Sequence, residues 1–173
     1  MAAALFAGRI PDLTDPVEVS SAGVHAGVGP VPPEVVEVMA PFGIDPSDHE
    51  SRALTPGMLQ QADLIIGMTR RHVQEAVLLD PPCWGQAVTL KELVRRGEAL
   101  GPRRPDQGIR SWIDAANGDR TRADLAHRNP ADDVADPYGG SLAQYEATAG
   151  ELADLTGRLA ALLWPDEAAG PTT

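Results

Sequence analysis

The run Asp136-Pro137-Tyr138-Gly139-Gly140-Ser141 sets one carboxylic acid in a turn-forming loop directly ahead of a helix that carries its own start signal. Ser141 and Gln144 have the spacing of a capping box, and Leu142, Tyr145, Leu152, Leu155, Leu159 and Leu162 recur at helical intervals up to Pro165. A loop with a fixed base can aim its side chain, and the chemistry open to an aimed carboxyl group is proton transfer. Taken alone, Asp-Pro-Tyr-Gly is also an ordinary turn, with Asp136 a surface acid and Tyr138 a packing aromatic. Other reactive side chains are sparse. The single cysteine, Cys83, lies between Pro82 and Trp84 with no glycine-rich loop entering a helix, and reads as a small packing or turn residue. The histidines at 25, 49, 72 and 127 share no ligand spacing with one another or with Cys83, so no metal site is expected.

The elements that would position these residues alternate between strand and helix. Residues 1 to 9 read as a helix without an N-cap, Val17-Glu18-Val19-Ser20 as a short strand ended by Ser21-Ala22-Gly23, and Pro32-Pro33 as the opening of a helix closed by Gly43. Thr55-Pro56 caps a short helix to Gln61, Leu64-Ile65-Ile66 is a buried strand, and Thr69 caps a helix to about Leu79. Pro81 to Gly85 is a turn, Ala87 to Leu90 a last strand, and Lys91 to about Arg96 a helix. Such alternation predicts an α/β domain: three layers, with a short parallel sheet covered on both faces. Residues 97 to 130, polar and rich in Gly, Pro and Arg, read as an excursion with one amphipathic piece around Ile109-Trp112-Ile113. One domain over 1–165 and a disordered acidic tail over 166–173 are expected.

Composition narrows the function. No apolar run approaches the roughly 18 residues needed to span a bilayer. Met1 to Ala7, for which a truncated signal peptide is the rival reading, lacks a basic leader, and a single cysteine fits a reducing compartment, so a cytoplasmic protein is expected. A net charge of −11 argues against nucleic acid and anionic membrane as partners. The charge is uneven: residues 91–128 hold nine of the fourteen basic residues and carry +3, the rest −14. That stretch reads as a helical surface laced with ion pairs, or alternatively as a docking face for an acidic or phosphorylated partner.

With Ser20-Ser21-Ala22-Gly23 near the start, Asp63-Leu64-Ile65-Ile66-Gly67-Met68 in the middle and the Asp136 loop near the end, the chain resembles the low molecular weight protein tyrosine phosphatase family, its three motifs in the family's order. The resemblance implies hydrolysis of phosphotyrosine in proteins, or of small aryl phosphates, through a phosphocysteine, with no cofactor. It assigns Asp136 as the acid that protonates the leaving phenolate and Tyr138 as a wall of the phenyl slot. Ser21 matches a serine that steadies the phosphate loop, and His49, in His49-Glu50-Ser51-Arg52, a histidine behind that loop. The family's signature of Cys, five residues and Arg-Ser is absent, and Cys83 is followed six residues on by Thr89 rather than arginine.

In the family a Ser-Pro-Met-Ala follows that loop, and this chain begins Met1-Ala2-Ala3. The expectation is therefore a chain truncated just after the phosphate loop, missing the first, central strand of the sheet and inert as it stands. Whether this reflects a misassigned start or a real loss is open, as are the oligomeric state and the physiological substrate. Two rivals are a non-catalytic binding module on the same fold, and an arsenate reductase, which would need cysteines beyond Cys83.

Overall fold

The structure, a computed structural model, describes residues 1–10, 17–24, 30–126 and 129–165. The expected disordered tail, His25, His127 and Arg128 lie outside them. The chain divides into two compact units: Met1–Ala53 with Ala135–Ala160, and Leu54–Val134 with the residues from Ala161 onward.

The first unit is helical. Helix α1 (Ala2–Ala7) buries Leu5. Helix α2 (Pro33–Met39) starts at a proline, whose missing N–H costs nothing in the first turn, and buries Val38 and Met39. A 3₁₀ turn, Ala40–Phe42, follows it and is closed by Gly43 at φ 70°, a left-handed geometry that glycine adopts without a Cβ clash. The predicted strand at Val17–Ser20 is not formed. A strand persists through a ladder of backbone partners. Here the pairing is reduced to an isolated parallel bridge, Gly23 to Ala53, in which the Gly23 N–H donates to Arg52 O at 2.9 Å. In helix α7 (Leu142–Leu163), Tyr145, Ala149, Leu152 and Leu155 are buried, as its spacing required.

The second unit holds the sheet. Strands β1 (Ile65–Gly67) and β2 (Ala87–Thr89) pair in parallel, Ile65 opposite Ala87, Ile66 opposite Val88 and Gly67 opposite Thr89. Parallel neighbours need a crossover, supplied by α4 (Arg70–Leu79) and the 3₁₀ turn Pro81–Gly85. Gly67 permits the sharp entry, because a Cβ there would lie 2.8 Å from Val73 Cγ2. Thr69 caps α4 by accepting the His72 N–H at 3.3 Å. Helix α3 (Pro56–Gln61) precedes β1, capped by Thr55 as expected. Leu59, Val73, Ala76, Cys83 and Ala87 form a core that Leu54, Ile65, Val77 and Leu125 cover.

Two expectations for this unit are revised. Helix α5 spans Leu90–Leu100 rather than stopping near Arg96. Gly97 lies inside it, where Trp112 and Leu162 occupy the space a side chain would need. The supposed excursion contains α6 (Ile109–Asn117), whose Trp112 and Ile113 are buried core. The Trp112 indole is oriented by donating to Gly101 O at 3.0 Å, so a polar-looking segment carries one of the unit's largest apolar anchors.

Candidate active site

All four predicted site residues fall in the first unit. Asp136 stands at the entry to a tight turn in which the Gly140 N–H donates to Pro137 O at 2.8 Å. Gly139 takes φ 74° at the third position of that turn, the geometry a type II turn demands of glycine. The Asp136 carboxylate accepts the Tyr138 N–H through Oδ1 at 3.1 Å, an Asx turn that fixes the acid against its own backbone. Asp136 itself is exposed. Tyr138 is 80 % exposed, its ring two residues from the acid.

The base of the loop is the start of α7. Gln144 Oε1 accepts the Ser141 N–H at 2.7 Å and the Ser141 hydroxyl at 3.2 Å, so one half of the expected capping box is present, that from glutamine to the N-cap backbone. Gly140 makes room for it: a Cβ would sit 2.4 Å from Gln144 Oε1 and 2.9 Å from Pro137 O.

Ser21 is held from a different direction. Its carbonyl accepts from Arg52 Nε at 2.8 Å, while the Arg52 carbonyl accepts from Gly23, so one residue straps the 21–23 segment twice. His49 is exposed three residues before Arg52, its N–H donating to Pro46 O at 2.9 Å. The structure thus brings Ser21 together with the 49–53 segment, and Asp136 together with Tyr138. No hydrogen bond or ion pair among the described residues joins the two pairs. Arg52 is the functional candidate that sequence reasoning missed, because nothing in the chain marks a partner 31 residues away.

Cys83 is 2 % exposed in the core of the second unit. Burial, and secondarily the charge of Asp80, push its thiol above the ordinary range, the opposite of what a nucleophile needs. Among the described residues no group of three or more His, Cys, Asp or Glu could hold a metal ion, and no helix is long and apolar enough to cross a membrane.

Much of the basic stretch is engaged in ion pairs and hydrogen bonds. Glu92, 3 % exposed, receives Arg70 at 2.7 Å, Arg96 at 3.0 Å and Arg120 at 3.4 Å. Asp132, equally buried, receives Arg95 at 3.0 Å and Arg70 at 3.7 Å, and Arg96 also pairs with Asp119. Arg103 donates to the carbonyls of Leu163 and Gln107, Arg110 pairs with Asp63 and Asp114, and Arg122 lies over the Trp84 ring. The ion-paired reading of the stretch is the one these contacts favour, with Arg95, Arg104, Arg110 and Arg122 still exposed.

A parallel pair of strands joined through a helix, in a chain otherwise built of helices, places this protein in the α/β class. A family model described as low molecular weight phosphotyrosine protein phosphatase matches residues 1–98, and the chain belongs to that family. It is 39% identical over 94 residues to the probable low molecular weight protein-tyrosine-phosphatase EpsP of Ralstonia nicotianae, an alignment covering 54% of this chain and 62% of that protein. It is 29% identical over 151 residues to a protein-arginine-phosphatase of Bacillus subtilis, covering 87% of this chain and 78% of that one. Among solved structures, a mutant of the arginine phosphatase YwlE with a phosphorylated active-site serine superposes with a TM-score of 0.67 at 30% identity, covering 95% of this chain and 87% of its own.

Proposed function

We propose that this domain is a cytoplasmic phosphomonoester hydrolase acting on phosphotyrosine in proteins when a Cys-x5-Arg loop stands before Met1, and that residues 1–173 alone are inert. The observation that carries the reading is the Asp136 turn: an exposed carboxyl group fixed by its own backbone, in a chain of this family. In the proposed route a cysteine thiolate of the loop attacks phosphorus. The S–P bond forms as the P–O bond to the phenol breaks, and Asp136 gives its proton to the departing phenolate. Asp136 then takes a proton from water, which attacks phosphorus, and the P–S bond breaks to release phosphate. Tyr138 offers an exposed aromatic face for the substrate ring. Ser21, held by Arg52, and His49 are assigned to steadying the loop. No metal or organic cofactor enters this route.

A second reading is favoured by the match to a named arginine phosphatase over 87% of the chain, against 54% for the tyrosine phosphatase EpsP. Phosphoarginine hydrolysis would use the same acid on a more basic leaving group. The test is a polypeptide carrying the loop before Met1, assayed on matched phosphotyrosyl and phosphoarginyl peptides. Faster turnover of the phosphotyrosyl peptide is expected. A preference for phosphoarginine transfers the substrate to the second reading, and failure with both leaves a non-catalytic binding module as the better account.

A further inference from the structure

The cluster around Glu92 satisfies its carboxylates better than its cations. Arg70 and Arg120 have side chains only 6% and 1% exposed. Yet Nε and Nη1 of both guanidinium groups are buried without a hydrogen-bond partner, and so are Nδ2 and Oδ1 of Asn117. The two guanidinium groups meet at Glu92. Arg70 reaches Glu92 Oε2 and Arg120 lies 3.4 Å from Glu92 Oε1, too poorly aligned to make a hydrogen bond. The Arg120 N–H in turn donates to Asn117 O at 3.0 Å. Buried donors left unmade, charged ones above all, carry a desolvation cost that native structures avoid.

The mismatch has a sign. The orphaned set is five nitrogen donors against one oxygen acceptor. Water donates as many hydrogen bonds as it accepts, so water placed on those donors would bring new hydrogens into a site with a single spare acceptor. An anion only accepts. Glu92 by itself faces three guanidinium groups. Asp132 is shared between Arg70 and Arg95, and Asp119, which pairs with Arg96, is 81% exposed. Asp124 acts on Arg120, its Oδ2 accepting from the Thr121 N–H and hydroxyl, and Asp133 Oδ1 accepts the Arg70 N–H at 2.7 Å.

We propose that the second unit binds a small monatomic anion, chloride in kind, between the guanidinium groups of Arg70 and Arg120 beside Asn117. A halide makes the smallest demand on space where two guanidinium groups already share one carboxylate, and it accepts from several N–H groups at once. Binding the folded form alone, it stabilises that form by mass action. The site is independent of the proposed hydrolysis, and residues 1–173 contain no Cys-x5-Arg loop that could bind the anion instead.

The test uses the unaltered 173-residue chain. Crystals grown in bromide and measured at the bromine absorption edge should show an anomalous peak in contact with both Arg70 and Arg120. Replacing gluconate by chloride at fixed ionic strength should raise the thermal midpoint saturably, by on the order of 5 °C once chloride is about 100-fold above its dissociation constant. In Arg120→Met that dependence should vanish. Bromide found only on surface arginines, ordered water without anomalous signal between the two guanidinium groups, or a midpoint indifferent to chloride would each overturn the proposal. The diffraction result stands even if Arg120→Met does not fold.

Discussion

The acid loop at Asp136 and the charge cluster at Glu92 hold ionisable groups in place by opposite means. Asp136 is exposed and fixed by backbone: its own turn, Gly139 at positive φ, and Gln144 at the start of α7. Glu92 is buried and fixed by other side chains, Arg70, Arg96 and Arg120, which come from separate parts of the second unit. An exposed carboxylate held by backbone is accessible to a substrate and contributes little to folding. A buried carboxylate gripped by guanidinium groups is closed to substrate, and its removal strands charges away from water. The difference separates a place where chemistry can occur from one that holds a fold together, though both are built from Asp, Glu and Arg.

The largest expected effect tests the buried side. Glu92→Gln leaves three guanidinium groups without their common carboxylate and should lower unfolding stability by about 3–5 kcal/mol, read from the urea midpoint. A loss below about 1 kcal/mol would reduce the cluster to a surface-like set of pairs. Next comes Gly97→Ala. A Cβ there lies 2.7 Å from Trp112 Cη2 and 2.9 Å from Leu162 Cδ1, so overpacking should cost about 1–3 kcal/mol although alanine is the better helix former. A stabilised variant would show that α5 and α6 pack more loosely than described.

A smaller effect concerns Cys83. Its folded thiol is raised, by burial first and Asp80 second, so on raising the pH the unfolded chain ionises before the folded one. The stability this residue contributes is whole below the ordinary thiol range near about 8.5 and declines as pH climbs from there toward the raised folded value. Cys83→Ala should flatten that alkaline decline in denaturant midpoints, and the native thiol should react with a disulfide reagent only as fast as the protein opens. Fast modification of folded protein at neutral pH would refute the buried assignment. Smallest of all, Asp136→Asn should move stability by no more than about 0.5 kcal/mol.

Local signals carried much of this into the sequence. Thr55 and Thr69 before helices, Gly43 after one, and the apolar spacing from Leu142 to Leu162 each report a backbone event within a few residues, and each element formed where its signal stood. Features set by distant partners were not legible. Val17–Ser20 alternates like a strand, but pairing, not alternation, makes one. Gly97 sits inside α5 where Trp112, fifteen residues on, leaves no room for a side chain. Arg52 reaches Ser21 across 31 residues, and Arg95 reaches Asp132 across 37, with no periodicity linking them. The Asp136 loop was legible because turn, glycine and cap are contiguous, whereas the Glu92 cluster gathers Arg70, Arg96 and Arg120 from positions that no local signal links.

The account stands most directly on Asp136 as the proton donor, and a leaving-group series measures that. In a polypeptide carrying the Cys-x5-Arg loop, Asp136→Asn should lower turnover by about 10²- to 10⁴-fold for aryl phosphates with poorly acidic phenols. The loss should shrink steadily as the phenol becomes more acidic, because a phenolate that leaves readily needs less protonation. A loss of equal size across the whole series, or none, would contradict the assignment and detach this loop from the chemistry.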